Sequence, residues 1–222
     1  MKDLSVNGRT VPLEIRVRGV RHIYLRVLPD LRLEVVMPRR AKMGLEEVIA
    51  RKRRWIEKKV AEMAEARRLL TEHTVFYRGE PFQVVSMAAN GRRPGVVLSG
   101  NTAAVHLRTG ASAGNALRRF LTEETRRYVE ERVHDLSQDT GLSCNSIAVR
   151  EMRKWGYCTV KGKLCFNWRL ACLPPRLADY VILHEVLHLK HFDHSQRFKS
   201  TLAKHLPAYR DMEIALRGYL TD

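Results

Sequence analysis

The chain has 222 residues, with 40 Lys and Arg against 24 Asp and Glu and a formal net charge of +16. At 45% hydrophobic and 29% charged, the composition is that of a globular protein and excludes a disordered or collagen-like chain. No apolar run reaches the about 18 residues that a membrane-spanning helix needs, so no membrane association is expected.

The length suits one domain, or one domain with an appended lobe. The first residues lack the apolar stretch of a secretory signal, and the expected compartment is the cytoplasm. A surface this positive suits nucleic acid, nucleotides or other polyanions as partners, and equally a plainly solvated surface.

Residues 11–18 and 22–28 alternate apolar and polar side chains at a period of two, as strands do. Pro29-Asp30 reads as a turn, and residues 31–37 resume the alternation up to Pro38. Arg16, Arg18, Arg26 and Arg32 fill alternate positions, so one face of this small sheet is expected to be basic. Residues 44–70 read as a helix, because Leu45, Val48, Ile49, Ile56, Val60 and Met63 fall near a 3.6-residue period. It carries Arg51, Lys52, Arg53 and Arg54 just before Trp55. That run is either a solvated cationic face or a phosphate-contacting surface for nucleic acid or nucleotide.

Residues 76–85, 94–99 and 103–107 resemble the strands of a meander. The small-residue stretch from Gly110 to Gly114 marks a lobe boundary. The expected division is a basic, β-rich N-terminal lobe with one long helix over 1–110, and a second lobe over 111–222. No segment repeats at a fixed period. Residues 115–140 form a second long helix, with Leu117, Phe120, Leu121, Tyr128, Val129, Val133 and Leu136 as its candidate buried face and Gly141 as its cap. Residues 146–150 and 163–170 read as short strands, with a turn-like stretch from Lys154 to Cys158 between them. Cys144, Cys158, Cys165 and Cys172 lack the tight pairing of a zinc knuckle and read as free thiols.

Pro174-Pro175 opens a further helix. From 180 to 189 it is apolar except for His184, Glu185 and His188. Two His four residues apart share one helical face, about 5–6 Å apart. Both can therefore bond one zinc ion at about 2.0–2.1 Å. Glu185, turned by one residue, can stand beside that metal and take a proton from its bound water. Burying a carboxylate and two imidazoles among apolar side chains is costly unless they are paired or hold a metal.

His191 is a poor third ligand, because seven residues rise about 10.5 Å along a helix. His194 can reach the metal if the chain turns back after His188. The resulting spacing is that of metzincin-type sites, with His191 where those have Gly. Glu213, on the last helix, is the alternative. Three protein ligands leave a fourth position for water, which makes the site catalytic in type.

Trp155-Gly-Tyr-Cys, the run from Lys161 to Leu170, Pro174, the run from Asp179 to Leu189, His194-Ser-Gln-Arg-Phe and Leu206-Pro-Ala-Tyr together resemble the YgjP-type metal-dependent hydrolases. These are zincin-like relatives of the SprT domains. The basic strands and residues 51–56 extend the likeness over nearly the whole chain. The resemblance implies an α+β fold. Its zincin-like minimal metallopeptidase core holds an active-site helix, a backing helix and a small sheet, behind an N-terminal β-rich basic lobe. It implies one zinc ion on His184, His188 and His194, with Glu185 as base. Two departures concern the substrate cleft: Tyr157 stands where the family has a small residue, and Lys199 where it often has an aromatic one.

Asn167 and Arg169 are candidate substrate-binding residues, on a strand expected to offer a free edge to the substrate. Tyr157 and Tyr209 are candidate proton donors to an oxyanion. Each of these four has a structural role as its alternative. The expected function is a zinc metallopeptidase acting on a peptide or protein. The alternatives are a nucleotide phosphohydrolase of pyrophosphatase type, and a SprT-like protein whose basic lobe docks DNA or RNA.

Overall fold

A computed structural model of the chain describes residues 2–28, 31–65 and 69–219. The chain divides into two compact units, Met1–Arg67 with a short C-terminal stretch beginning at Arg217, and Arg68–Leu216. Pro29-Asp30, the end of the expected helix at 66–68 and the side chain of Met63 lie outside the described residues. No helix among the described residues is long and apolar enough to cross a membrane.

The first unit holds β1 (Lys2–Val6), β2 (Arg9–Arg18), β3 (Tyr24–Val27), β4 (Leu33–Pro38) and α1 (Leu45–Glu65). Strand β1 was not legible in the hydropathy pattern. It arises from Asn7-Gly8, whose φ angles of 51° and 75° make a two-residue hairpin turn that closes Val6 onto Arg9. The sheet runs β1-β2-β4-β3, with β2 and β4 parallel. Val11, Leu13, Val27, Leu33, Val35 and Met37 bury one sheet face against Ile56 and Val60 of α1.

The other face carries the expected arginines, three of them paired with two carboxylates. Register sets Glu14 opposite Glu34, and Arg26 opposite Glu34 on the far side. Arg16 pairs with Glu14 at 2.7 Å and with Glu34 at 3.3 Å, Arg26 with Glu34 at 3.7 Å, and Arg32 with Glu14 at 3.3 Å. Two carboxylates thus neutralise most of the charge of three arginines. On α1, Arg51, Lys52, Arg53, Arg54 and Trp55 are all exposed. Arg53 is nevertheless engaged: it bonds Glu57 at 3.0 Å and the Ser5 carbonyl at 3.2 Å, tying the helix to β1.

The second unit begins with the same topology. Strands β5 (Thr74–Tyr77), β6 (Glu80–Ala88), β7 (Gly95–Ser99) and β8 (Thr102–Leu107) run in the order β5-β6-β8-β7, again with a parallel central pair, and lead to α2 (Ala113–Thr140). Its first hairpin turns on Arg78-Gly79, with φ of 51° and 90°. The chain is therefore a repeated four-strand-plus-helix topology, although no residue period marks it. The lobe boundary expected at 110–114 falls inside the second unit. The physical reason is that β7 and β8 pack on α2, so the meander belongs with the helix that follows it.

Helix α2 is capped by Ser112 and by Gly141 in the left-handed region (φ 70°). It buries Leu117, Leu121, Val129, Val133 and Leu136 as expected, while Phe120 and Tyr128 are half-buried. Thr125 joins them unforeseen: it donates to the Trp168 carbonyl at 2.6 Å and accepts from the Ala171 amide at 3.1 Å. Thr125→Val keeps the shape and strands both backbone groups, so a loss of about 1–3 kcal/mol is expected in urea unfolding. A loss below roughly 0.5 kcal/mol, the level of an ordinary surface substitution, would show that the bond adds little.

Strands β9 (Ser146–Arg150), β10 (Gly156–Cys158) and β11 (Lys163–Asn167) form a sheet in the order β10-β11-β9. The expected strand 163–170 stops at Asn167. The Asn167 side chain accepts from the Arg169 amide at 3.0 Å and so caps a 3-10 helix, Trp168–Cys172. Helices α3 (Pro175–Leu187), α4 (Gln196–His205) and α5 (Tyr209–Leu216) complete the unit. All four cysteines are free.

Candidate metal centre

Helix α3 is buried along most of its length, with Tyr180, Val181, Ile182, Leu183, Val186 and Leu187 at 6% exposure or less. The core thus holds the helix as a rigid mount for His184, Glu185 and His188. The helix ends at Leu187, and the amides of Leu189, Lys190 and His191 bond carbonyls of its last turn. The chain then reverses into α4 and brings His194 back. The reversal needs no left-handed residue at His191, which is absent from the positive-φ positions. Glycine at that position is therefore dispensable in this chain.

Nε2 of His184 lies 3.2 Å from Nε2 of His188 and 3.0 Å from Nε2 of His194. The three ligand-capable atoms lie within 4.8 Å of one another, and no other cluster of this kind occurs among the described residues. Nδ1 of His188 lies 2.7 Å from the carbonyl of His191. A carbonyl only accepts, so Nδ1 carries the proton and Nε2 presents a lone pair. Burial, with the neighbouring imidazoles, pushes His184 down to about 4, and burial lowers His188 as well. Three ring nitrogens that converge so closely are placed as donors to a single cation would be. A tetrahedral ion with bonds of about 2.0–2.1 Å holds its nitrogens about 3.3 Å apart. The residues fit a divalent cation. Glu213 is exposed on α5 and lies outside the cluster.

Glu185 is 7% exposed and stands beside the three rings, lining a cavity of about 350 Å³. Burial pushes its carboxyl up to about 7, against the charge of Lys154 and a bond from the Cys158 amide. The same cavity is lined by Lys154, Gly156, Tyr157 and Cys158 from β10 and its approach, and by half-exposed Phe192. At Gly156 a Cβ would stand 2.7 Å from Cγ of Glu185 and 3.1 Å from its Oε1. The glycine is what gives the carboxylate its room.

Two expected substrate contacts are corrected. Strand β11, which leads to Asn167 and Arg169, is the central strand of its sheet; the edges belong to β10 and β9. Asn167 is fully buried and donates to the carbonyls of Met152 and Lys154 at 2.6 and 3.3 Å. Arg169 is 7% exposed, bonds Glu151 at 2.6 Å and lies 4.2 Å from the Trp168 ring centroid. Both residues pin the segment that delivers Lys154 and Gly156 to the cavity. Of the two tyrosines, Tyr157 lines the cavity and Tyr209 does not.

Lys154, Gly156, Cys158 and Phe192 had no distinct signal in composition or periodicity. Gly156 and Cys158 lie in the Trp155-Gly-Tyr-Cys motif of the resemblance, which gave them no role, while Lys154 and Phe192 lie outside the motifs. A family model described as YgjP-like, metallopeptidase domain, matches residues 21–219. No curated protein matches the chain.

Proposed function

The chain belongs to the YgjP-like metallopeptidase-domain family, and from that premise we propose that it is a zinc peptidase with His184, His188 and His194 as ligands and Glu185 as base. The observation that carries this reading is the convergence of three imidazole nitrogens beside one buried carboxylate. When bound, zinc supplies a Lewis acid for the scissile carbonyl and draws the pKa of a water toward neutrality. Glu185 takes a proton from the attacking water and passes it to the departing amine. An extended peptide pairs with edge strand β10, whose residues line the cavity. Tyr157 and half-exposed Phe192 receive its side chains.

Incubating the zinc-loaded protein with a quenched-fluorescence peptide library tests this reading. Cleavage that a chelator abolishes and zinc restores is the expected result. No cleavage of any peptide by protein shown to hold one zinc per chain would refute it.

The position of Gly156 gives a second test. Gly156→Ala displaces the Glu185 carboxylate, and a misplacement on the order of 1 Å costs about 10²-fold in turnover. Zinc content is expected to stay the same. Turnover within about twofold of the parent would mean that the carboxylate relaxes without loss.

A nucleotide phosphohydrolase is the second reading, favoured by Lys154, whose charge acts on Glu185 within the cavity. Phosphate release from nucleoside triphosphates with zinc, manganese or magnesium would favour it over peptide cleavage. In either case exposed Arg51, Lys52 and Arg54 would dock a polyanion. Binding of DNA or RNA through them should fall steeply as salt rises from 50 to 200 mM.

A further inference from the structure

The three imidazoles come from two stretches of chain, and the bonds expected to orient them are incomplete. His188 has one, to the His191 carbonyl. Nδ1 of His184 is buried, and no described residue bonds it. Metal-binding histidines ordinarily give that second nitrogen to an oxygen, which fixes the plane of the ring.

A single aromatic ring touches all three. Phe198, 1% exposed on α4, lies 4.7 Å from the His188 ring and stacks on it at 22°. It meets His184 edge-on at 4.9 Å and 70°, and His194 at 5.1 Å and 73°. Tyr180, one turn earlier on α3, adds a second edge contact to His184 at 5.8 Å. These are the separations and tilts that aromatic pairs favour. Phe198 also sits four residues after His194, so the ring that braces the helix-borne ligands is carried by the segment that brings in the third.

We propose that Phe198 is a positioning residue for the metal, the common floor that aims three lone pairs at one point. At His184, whose Nδ1 no described residue bonds, packing against this floor fixes the ring. This rests on the metal-site reading above. With the ring removed, each imidazole regains rotamer freedom, and the ion must order it again on binding. Loss of an orienting partner of this kind lowers metal affinity by about 10–100-fold.

The test uses the full-length protein stripped of metal, titrated with Co2+ and followed by visible absorption. Phe198→Leu keeps an apolar side chain in the site and removes the ring. Leu202→Ala, at a position 2% exposed one turn further along α4, loosens the packing of the same helix and leaves the ring in place. Phe198→Leu is expected to weaken Co2+ binding by about 10–100-fold and to shift the absorption bands. Leu202→Ala is expected to lower the melting temperature of the metal-free protein while leaving affinity within about twofold of the parent. Equal affinity of Phe198→Leu and parent overturns the proposal, as does an equal loss in both variants. Parent protein that binds no Co2+ overturns the metal-site reading and this inference with it. If Phe198→Leu gives no cooperative melt, Phe198→Met is read in the same way.

Discussion

Glu185→Gln is expected to lower hydrolysis by about 10²–10⁴-fold, the range for losing a general acid–base group, with the metal still bound. Glutamine matches glutamate in size, so it fits the space that Gly156 leaves and still meets the amide of Cys158. It cannot accept the proton of an attacking water. Glu185 is not among the three clustered ligand atoms, so metal content should not change. Elemental analysis and turnover measured on the same preparation check both halves. Full activity in a zinc-loaded Gln variant would remove Glu185 from the chemistry, and loss of the zinc would make it a ligand instead.

His194→Ala carries the second large effect. An apparent free energy of about 10–16 kcal/mol shared over four ligands gives each about 2.5–4 kcal/mol, so deleting one should weaken zinc binding by roughly 10²–10³-fold. His184 and His188 remain on α3 and can still hold a metal loosely. Glu213→Gln should leave affinity unchanged, because Glu213 is exposed on α5 and apart from the cluster. Competition against a chromophoric chelator measures both. If Glu213→Gln weakens binding and His194→Ala does not, the ligand set proposed here is mistaken.

The difference between these two residues was partly readable beforehand. His184 and His188 sit four apart in an otherwise apolar run, and helix geometry alone puts them on one face. His194 needed an argument about chain reversal, which the structure answers without strain at His191. Asn167 and Arg169 show the opposite case. As polar residues in a motif-dense stretch they suggest substrate contacts. Their burial, and their partners 13–18 residues away, make them braces for the cavity wall.

The expected division of the chain differed for a related reason. Gly110 to Gly114 has the composition of a linker, and a turn does lead into α2 there. Whether it separates two units depends on what packs across it, and β7 and β8 pack on α2. The twofold topology was likewise hidden. Asn7-Gly8 and Arg78-Gly79 make equivalent turns from unlike residues, so no residue period exists to detect.

By itself the sequence determined the α+β class, the two long helices, the His184–Glu185–His188 face and the family. Each follows from local periodicity, or from residue identities at short spacing. The tertiary structure alone decided which strand is central in its sheet, which arginines are paired, and that Gly156 and Phe198 stand against Glu185 and the three imidazoles. Those facts depend on pairings between residues distant in the chain, and hydropathy and spacing carry no record of which distant groups meet.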